Sequence, residues 1–308
     1  MAAEGVSVLA RRVVRLTGRV KEGRPPLESE ANAPRKIEEI PPELRRLLMN
    51  GLALVPAGAN VIMQLAQLGV GHGVAESRVP SGSLYEHPIK RTRTTLSYVM
   101  LACFGTSEER VFLRRAVDRQ HRSVYSNVAD EVQYNAFDPA LQLWVAACMY
   151  RGVVDSVSFL YGEQDEATRD ALYQVCGRFA TTLQVPVEMW PKTRAAYESY
   201  WTHAVAAIQM DSTTRDYLSN FASLGFLPLP LRAVFGPAHR FMSVGFLAPE
   251  FREALGVKWS ERDQRIFVIV LRLLSSVNRV LPRVAREWPW NMVLHDARRR
   301  IATGRPLI

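Results

Sequence analysis

Residues 106–124 read TSEERVFLRRAVDRQHRSV, and this stretch decides the fold. Thr106-Ser107-Glu108-Glu109 has the spacing of a capping box, in which the threonine and glutamate side chains satisfy each other's backbone N–H groups. A helix therefore begins near Ser107. Leu113, Val117, His121 and Val124 follow at i, i+4, i+8 and i+11 and share one face. Arg114, Arg115, Asp118, Arg119 and Arg122 occupy the others. The imidazole thus points where the leucine and valines point, inward. A buried neutral imidazole needs a partner for each ring nitrogen. Two readings meet that need: a core histidine bonded to backbone, or a ligand with one nitrogen on a metal and the other oriented by a carbonyl or carboxylate.

The preceding segment, Lys90-Arg91-Thr92-Arg93-Thr94-Thr95, opens a helix near Ile89. Arg91, Thr95 and Tyr98 share a face, with Thr94 beside it. A cation with hydroxyls suits an anionic group or a bound oxygen species; a solvated basic helix start explains the same residues. On the other side, Asp138-Pro139 is an N-cap followed by proline at the first helical position. Leu141, Trp144, Val145, Cys148 and Met149 then recur at helical spacing, a packing helix.

Further out, the chain is helical wherever it is periodic. Pro41-Pro42-Glu43 opens one helix and residues 58–69 predict a second. The glycines of Gly69-Val70-Gly71-His72-Gly73 allow close backbone approach, which suits a flat ligand, and His72 stands among them. Residues 77–88 read as a loop able to cover the site. Leu172, Val175, Cys176, Phe179, Ala180 and Leu183 form a helix stripe ended by Pro186. Tyr197, Tyr200, Trp201, Ala204, Val205 and Ile208 form another, either core or the wall of a substrate channel. Residues 231–255 predict helical pieces around Pro237 and Pro249, with His239 unmarked as a ligand. Ser260 and Asp263 cap a helix carrying Ile266, Ile269, Val270, Leu273, Leu274 and Val277. A last helix follows around Trp290. With no strand signal and no internal repeat, the fold class is all-α.

The 308 residues divide into an extended or mobile arm over 1–40, charged and proline-rich, and one all-helical domain over 41–308. A hydrophobic fraction of 48% supplies a sizeable core. The net charge of +9 favours anionic surfaces, which allows peripheral contact with an anionic membrane. No aromatic–basic signature supports nucleic acid as a partner. Cys103, Cys148 and Cys176, an odd number in apolar patterns, argue for reduced thiols and a cytoplasmic setting. Met1-Ala2-Ala3-Glu4 does not start a convincing signal peptide, and no apolar run reaches the length of a membrane span. Covalent haem attachment lacks its C-x-x-C-H, and hydrolase, zinc-protease and nucleotide-hydrolysing classes lack G-x-S-x-G, H-E-x-x-H and Walker-type loops.

The ordered set Arg91-x-x-x-Thr95, Phe104-Gly105-Thr106, Glu109-Arg110, His121-x-x-Val124 and Tyr134-Asn135-Ala136-Phe137-Asp138-Pro139 with Leu143-Trp144-Val145 resembles the MpaB-type oxygenases, relatives of the latex-clearing rubber oxygenases. Met63-Gln64-Leu65-Ala66 and Gly73-Val74-Ala75-Glu76-Ser77 fit the same pattern, and the likeness covers roughly residues 45 to 205. The resemblance implies a globin-like helical core binding haem b, with His121 as the proximal iron ligand. It places Arg91 and Thr95 on the distal side. Some rubber oxygenases carry a distal lysine where this chain has Thr94, so no lysine–iron bond is implied. The family's histidine-proline is replaced by Gln67-Leu68, with His72 nearby as a cofactor-contact candidate. Glu76 is the nearest match to an acidic residue proposed as a base in rubber cleavage.

The expectation is a haem b-dependent oxygenase that uses dioxygen on a hydrophobic small molecule. A haem-binding sensor or peroxidase-like protein is one alternative. A haem-free helical protein that binds lipid or a partner is the other.

Overall fold

The computed structural model describes residues 40–77 and 82–308. The expected arm lies outside these residues except for Ile40, as does part of the expected 77–88 loop. Helix α1 (Pro42–Leu48) starts on its predicted proline, and a 3₁₀ turn (Gly51–Leu54) leads into α2 (Ala57–Leu65). The helix expected over 58–69 ends early, because Gln67 caps a separate helix, α3 (Leu68–Ala75), by accepting from the Gly69 N–H at 2.7 Å. The glycine run is therefore itself helical. A Cβ added at Gly71 would lie 2.6 Å from the Leu65 carbonyl oxygen and 2.9 Å from Thr214. The close approach there is to protein, not to a ligand.

Helix α4 (Pro88–Phe104) and α5 (Ser107–His121) follow, the latter with its predicted capping box formed on both sides. Asp138 caps α6 (Pro139–Tyr161). The stripe expected to run through residue 183 breaks at Gly177 into α7 (Glu166–Cys176) and α8 (Arg178–Thr182). Thr193 caps α9 (Arg194–Ala206) and Asp211 caps α10 (Ser212–Ala222). Helix α11 (Leu229–Phe246) runs through Pro237 rather than stopping at it, with that residue on the solvent side. Then come α12 (Pro249–Leu255), α13 (Glu261–Val280) behind the Ser260–Asp263 capping box, α14 (Arg283–Glu287) and α15 (Trp290–Ala302). Among the described residues the only β pairing is one isolated bridge, Tyr125 with Asn135.

Helix α6 is the hub. It packs against α1, α2, α8 and α13, which is why it is apolar nearly all round. Leu143, Ala146, Ala147 and Tyr150 enter one core cluster with Tyr98, Leu101, Phe179 and Leu294. Trp144 and Cys148 face a second with Ile62, Met63, Leu218 and Phe251. Each fully buried side chain of this size contributes about 1.5–3 kcal/mol. Against the expectation of no run of spanning length, α6 is long and apolar enough to cross a membrane, yet half of it is buried inside the protein.

The aromatic stripe of α9 is divided: Tyr197 is core, while Tyr200, Ala204 and Ile208 line a smaller cavity of about 300 Å³. The Tyr197 ring meets Tyr150 edge-on at 4.7 Å, and Trp201 stacks on Trp144 at 5.3 Å. Tyr197 Oη donates to the Ala147 carbonyl at 3.0 Å, so its hydroxyl is satisfied where it is buried. All three cysteines are buried and unpaired, and burial pushes the thiols up, that of Cys103 to about 12.

Candidate active site

A cavity of about 660 Å³ opens between α2, α3, α4, α5 and α6, with α8, α10 and α11 contributing farther along. Its wall is mostly apolar: Val117, Val124, Leu141, Val145, Met149 and Leu183 are among the lining residues. Gly69 and Gly73 present backbone rather than side chain to it.

His121 lies at the last turn of α5, half-buried, and lines this cavity. Its Nδ1 is 3.1 Å from Gln184 Oε1. The tautomer follows from the atoms around it. Gln184 donates its amide N–H to the Asp118 carboxylate, a group that only accepts. Gln142 Oε1 accepts from the Gln184 backbone N–H at 2.6 Å, so Gln142 Nε2 is the atom that donates to Gln184 Oε1, at 2.5 Å. Both contacts turn Gln184 Oε1 toward the imidazole. An amide oxygen only accepts, so His121 Nδ1 carries the proton and Nε2 keeps its lone pair. No described residue hydrogen-bonds Nε2. Burial depresses the His121 pKa; the Gln184 bond and Asp118 oppose this, and the Arg91 charge adds to it.

Arg91 lines the same cavity. Among the described residues it has no carboxylate partner, and burial lowers its pKa while Tyr217 opposes the shift. A partly buried guanidinium without a counter-charge suits an anionic group bound in the cavity. Thr94 is buried, and Thr94 and Thr95 both line the cavity. Thr95 Oγ1 donates back to the Arg91 carbonyl at 3.1 Å, so its proton is already committed within the helix. Thr94 has no hydrogen-bond partner among the described residues. The structure thus brings His121, Arg91, Thr94 and Thr95 to one cavity.

His72 and Glu76 are not brought there. The His72 ring is buried with Nε2 2.5 Å from Asp211 Oδ2 and Nδ1 3.1 Å from Glu76 Oε2. Both nitrogens are taken by carboxylates, so no lone pair is left for iron. Burial opposes the charged ring, but the hydrogen bonds to Asp211 and Glu76 outweigh it and raise the His72 pKa. The pair ties α3 to the cap of α10. Glu76 is engaged in that clasp, and neither residue lines the cavity.

One cavity residue went unmarked in the sequence. His239 on α11 donates from Nδ1 to the Ala222 carbonyl at 2.8 Å and lines the cavity, with its Nε2 edge packed close to Gly58. A histidine after Gly236-Pro237 carries no local sign of this. The partners of His121 were equally silent: Gln184 and Gln142 come from residues 63 and 21 positions away in the chain. Among the described residues no group of three or more His, Cys, Asp or Glu side chains could hold a bare metal ion.

Residues 44–276 match the family model described as ER-bound oxygenase mpaB/B′/rubber oxygenase, catalytic domain. Uncharacterized protein Rv2237 of Mycobacterium tuberculosis is 49% identical over 255 residues, which is 83% of this chain and all of that protein. Uncharacterized protein Mb2261 of Mycobacterium bovis matches to the same extent. No solved structure matches the chain significantly.

Proposed function

Because the chain belongs to the mpaB/rubber-oxygenase catalytic-domain family, and is on that ground an oxidoreductase, we propose that it holds haem b on His121 and uses dioxygen to oxidise a hydrophobic small molecule. The observation that carries the reading is His121 itself: it lines a large apolar cavity, and its tautomer, held by Gln184, Gln142 and Asp118, leaves Nε2 without a partner among the described residues.

The residues present fit the cofactor. An oriented neutral imidazole is what a proximal ligand requires, and a partner on the second nitrogen is the usual way proteins fix one. Arg91 offers an unpaired cation to a carboxylate or to negative charge arising in the reaction. When bound, haem b supplies the redox chemistry with dioxygen.

The chain's own side chains do the rest. Val117, Val124, Val145 and Met149 exclude water and favour an apolar substrate. Thr94 offers a hydroxyl free to donate or accept. Thr95 accepts freely, and donates only when its bond to the Arg91 carbonyl opens. His239 adds a polar ring at the α11 end of the cavity.

The test is an absorption spectrum of the purified protein after reconstitution with haem, followed by dioxygen uptake with hydrophobic substrates. A Soret band that is lost in His121→Ala is the expected result. Wild-type protein that takes up no haem, or a variant that retains it equally, overturns the assignment.

A further inference from the structure

Helix α13 turns an apolar stripe outward. Ile266, Ile269, Leu273, Val277 and Val280 lie within about a quarter-turn of one another on a 3.6-residue helix, and all are exposed, Leu273 by 62% and Val280 by 81%. The opposite side of the helix is where it packs. Phe267 is buried against Phe246 and Trp259, and Ser275 donates to the Leu160 carbonyl at 3.3 Å. The stripe is thus a second face, separate from the one the core needs, and no described residue covers it.

Beside the stripe runs a row of charge. Arg265, Arg272 and Arg279 recur every seven residues, all exposed, and so line one edge of the apolar face. None of the three has a carboxylate partner among the described residues. Apolar exposure continues past the helix in Val284 and Trp288. A soluble surface seldom shows so much apolar area in one strip.

From this we infer that α13 is a peripheral docking face for an anionic phospholipid membrane. An apolar stripe with a basic edge, on a helix lying flat at the surface, matches the two-layered chemistry of a lipid interface: acyl chains under the stripe, phosphate headgroups beside the arginines. Charge complementarity favours this occupant over a second copy of the chain. Two such faces paired antiparallel would bring two arginine rows together, and in either orientation two copies of net charge +9 repel. The inner side of the same helix bonds the Asn50 side chain through Asn278 at 2.8 Å, and Leu48 and Ala53, on either side of Asn50 in the chain, line the large cavity. An apolar substrate dissolved in the membrane would therefore be held about one helix diameter, ~10 Å, from the cavity's end.

The inference does not depend on haem, and its test reads lipid binding alone. Full-length protein is floated with vesicles of pure phosphatidylcholine and of phosphatidylcholine with 30% phosphatidylglycerol, roughly a physiological anionic fraction. Binding to the anionic vesicles that weakens with salt is expected. Leu273→Glu with Val277→Glu lowers it at least about tenfold, and Arg265→Ser with Arg272→Ser and Arg279→Ser by on the order of 100-fold. Circular dichroism checks that each variant is folded. Because the native cysteines are buried, Val280→Cys takes an environment-sensitive label selectively, and its emission shifts to the blue on anionic vesicles. Absent vesicle binding by the wild type, or binding unchanged in both variants, overturns the inference. So does a wild-type dimer in sedimentation that the glutamate variant converts to monomer without any lipid binding.

Discussion

The Nδ1 of His121 stands 3.1 Å from Gln184 Oε1, and that oxygen is aimed by two other side chains, Asp118 and Gln142. The relationship makes Gln184 a positioning residue, because it fixes which imidazole nitrogen keeps its lone pair. Outer partners of this kind typically contribute about 10–100-fold to metal affinity. Gln184→Leu is expected to weaken haem retention by about that factor while leaving His121 in place. Haem transfer to apomyoglobin measures it, and added imidazole restores the spectrum of His121→Gly but not of Gln184→Leu. Equal retention by Gln184→Leu and wild type would remove Gln184 from the site.

Arg91 provides an uncompensated positive charge in the cavity. In haem-loaded protein, Arg91→Leu should weaken azide binding by about tenfold or more, and Arg91→Lys should recover part of it, since the lysine keeps the charge but not the planar fork. Spectrophotometric titration reads both. If all three proteins bind azide alike, the arginine faces something other than the ligand.

The clasp of His72 between Glu76 and Asp211 sets a pH dependence. Its pKa is raised above the ordinary 6.5, so the folded state binds the proton more tightly than the unfolded one. The stabilisation is complete below pH 6.5 and fades as the pH rises through the folded-state pKa. The difference in Tm between wild type and His72→Gln should therefore be larger at pH 6 than at pH 9. A difference that grows toward alkaline pH would mean the ring is held neutral.

Asp155 carries the opposite sign. Burial pushes its carboxyl to about 6, against Arg151, whose Nε is 3.3 Å away. An acid with a raised pKa destabilises the fold above that value and ceases to do so as it protonates. Asp155→Asn should stabilise the protein at pH 7.5, by up to about 3 kcal/mol, and have little effect near pH 4. Urea midpoints at the two pH values decide it. Loss of stability at pH 7.5 would show that the bond to Arg151 outweighs the cost of burial.

Much of the helical framework was legible because caps and periodicity are local. Thr106 with Glu109, Asp138 with Pro139, and Ser260 with Asp263 each bond within a few residues of themselves, so spacing along the chain reveals them. Boundaries failed where a side chain intervened, as when Gln67 capped a new helix in the middle of an expected one. The α13 stripe marks a different limit. Periodicity identified one face of a helix, but whether an apolar face is covered depends on what else folds against it.

The sequence by itself determined an all-helical chain, a histidine on an apolar face and a basic helix start upstream of it. The tertiary structure alone decided which polar groups share a cavity. His121 and His72 are both histidines in helices, and the apolar face that marks His121 does not say which of its nitrogens stays free. One has a nitrogen left over because an amide 63 residues away occupies the other, while the second has both nitrogens bound by carboxylates, one of them 139 residues away. Hydrogen bonding is short-ranged in space and indifferent to distance along the chain, so the chemistry of each ring is settled only when the helices have packed.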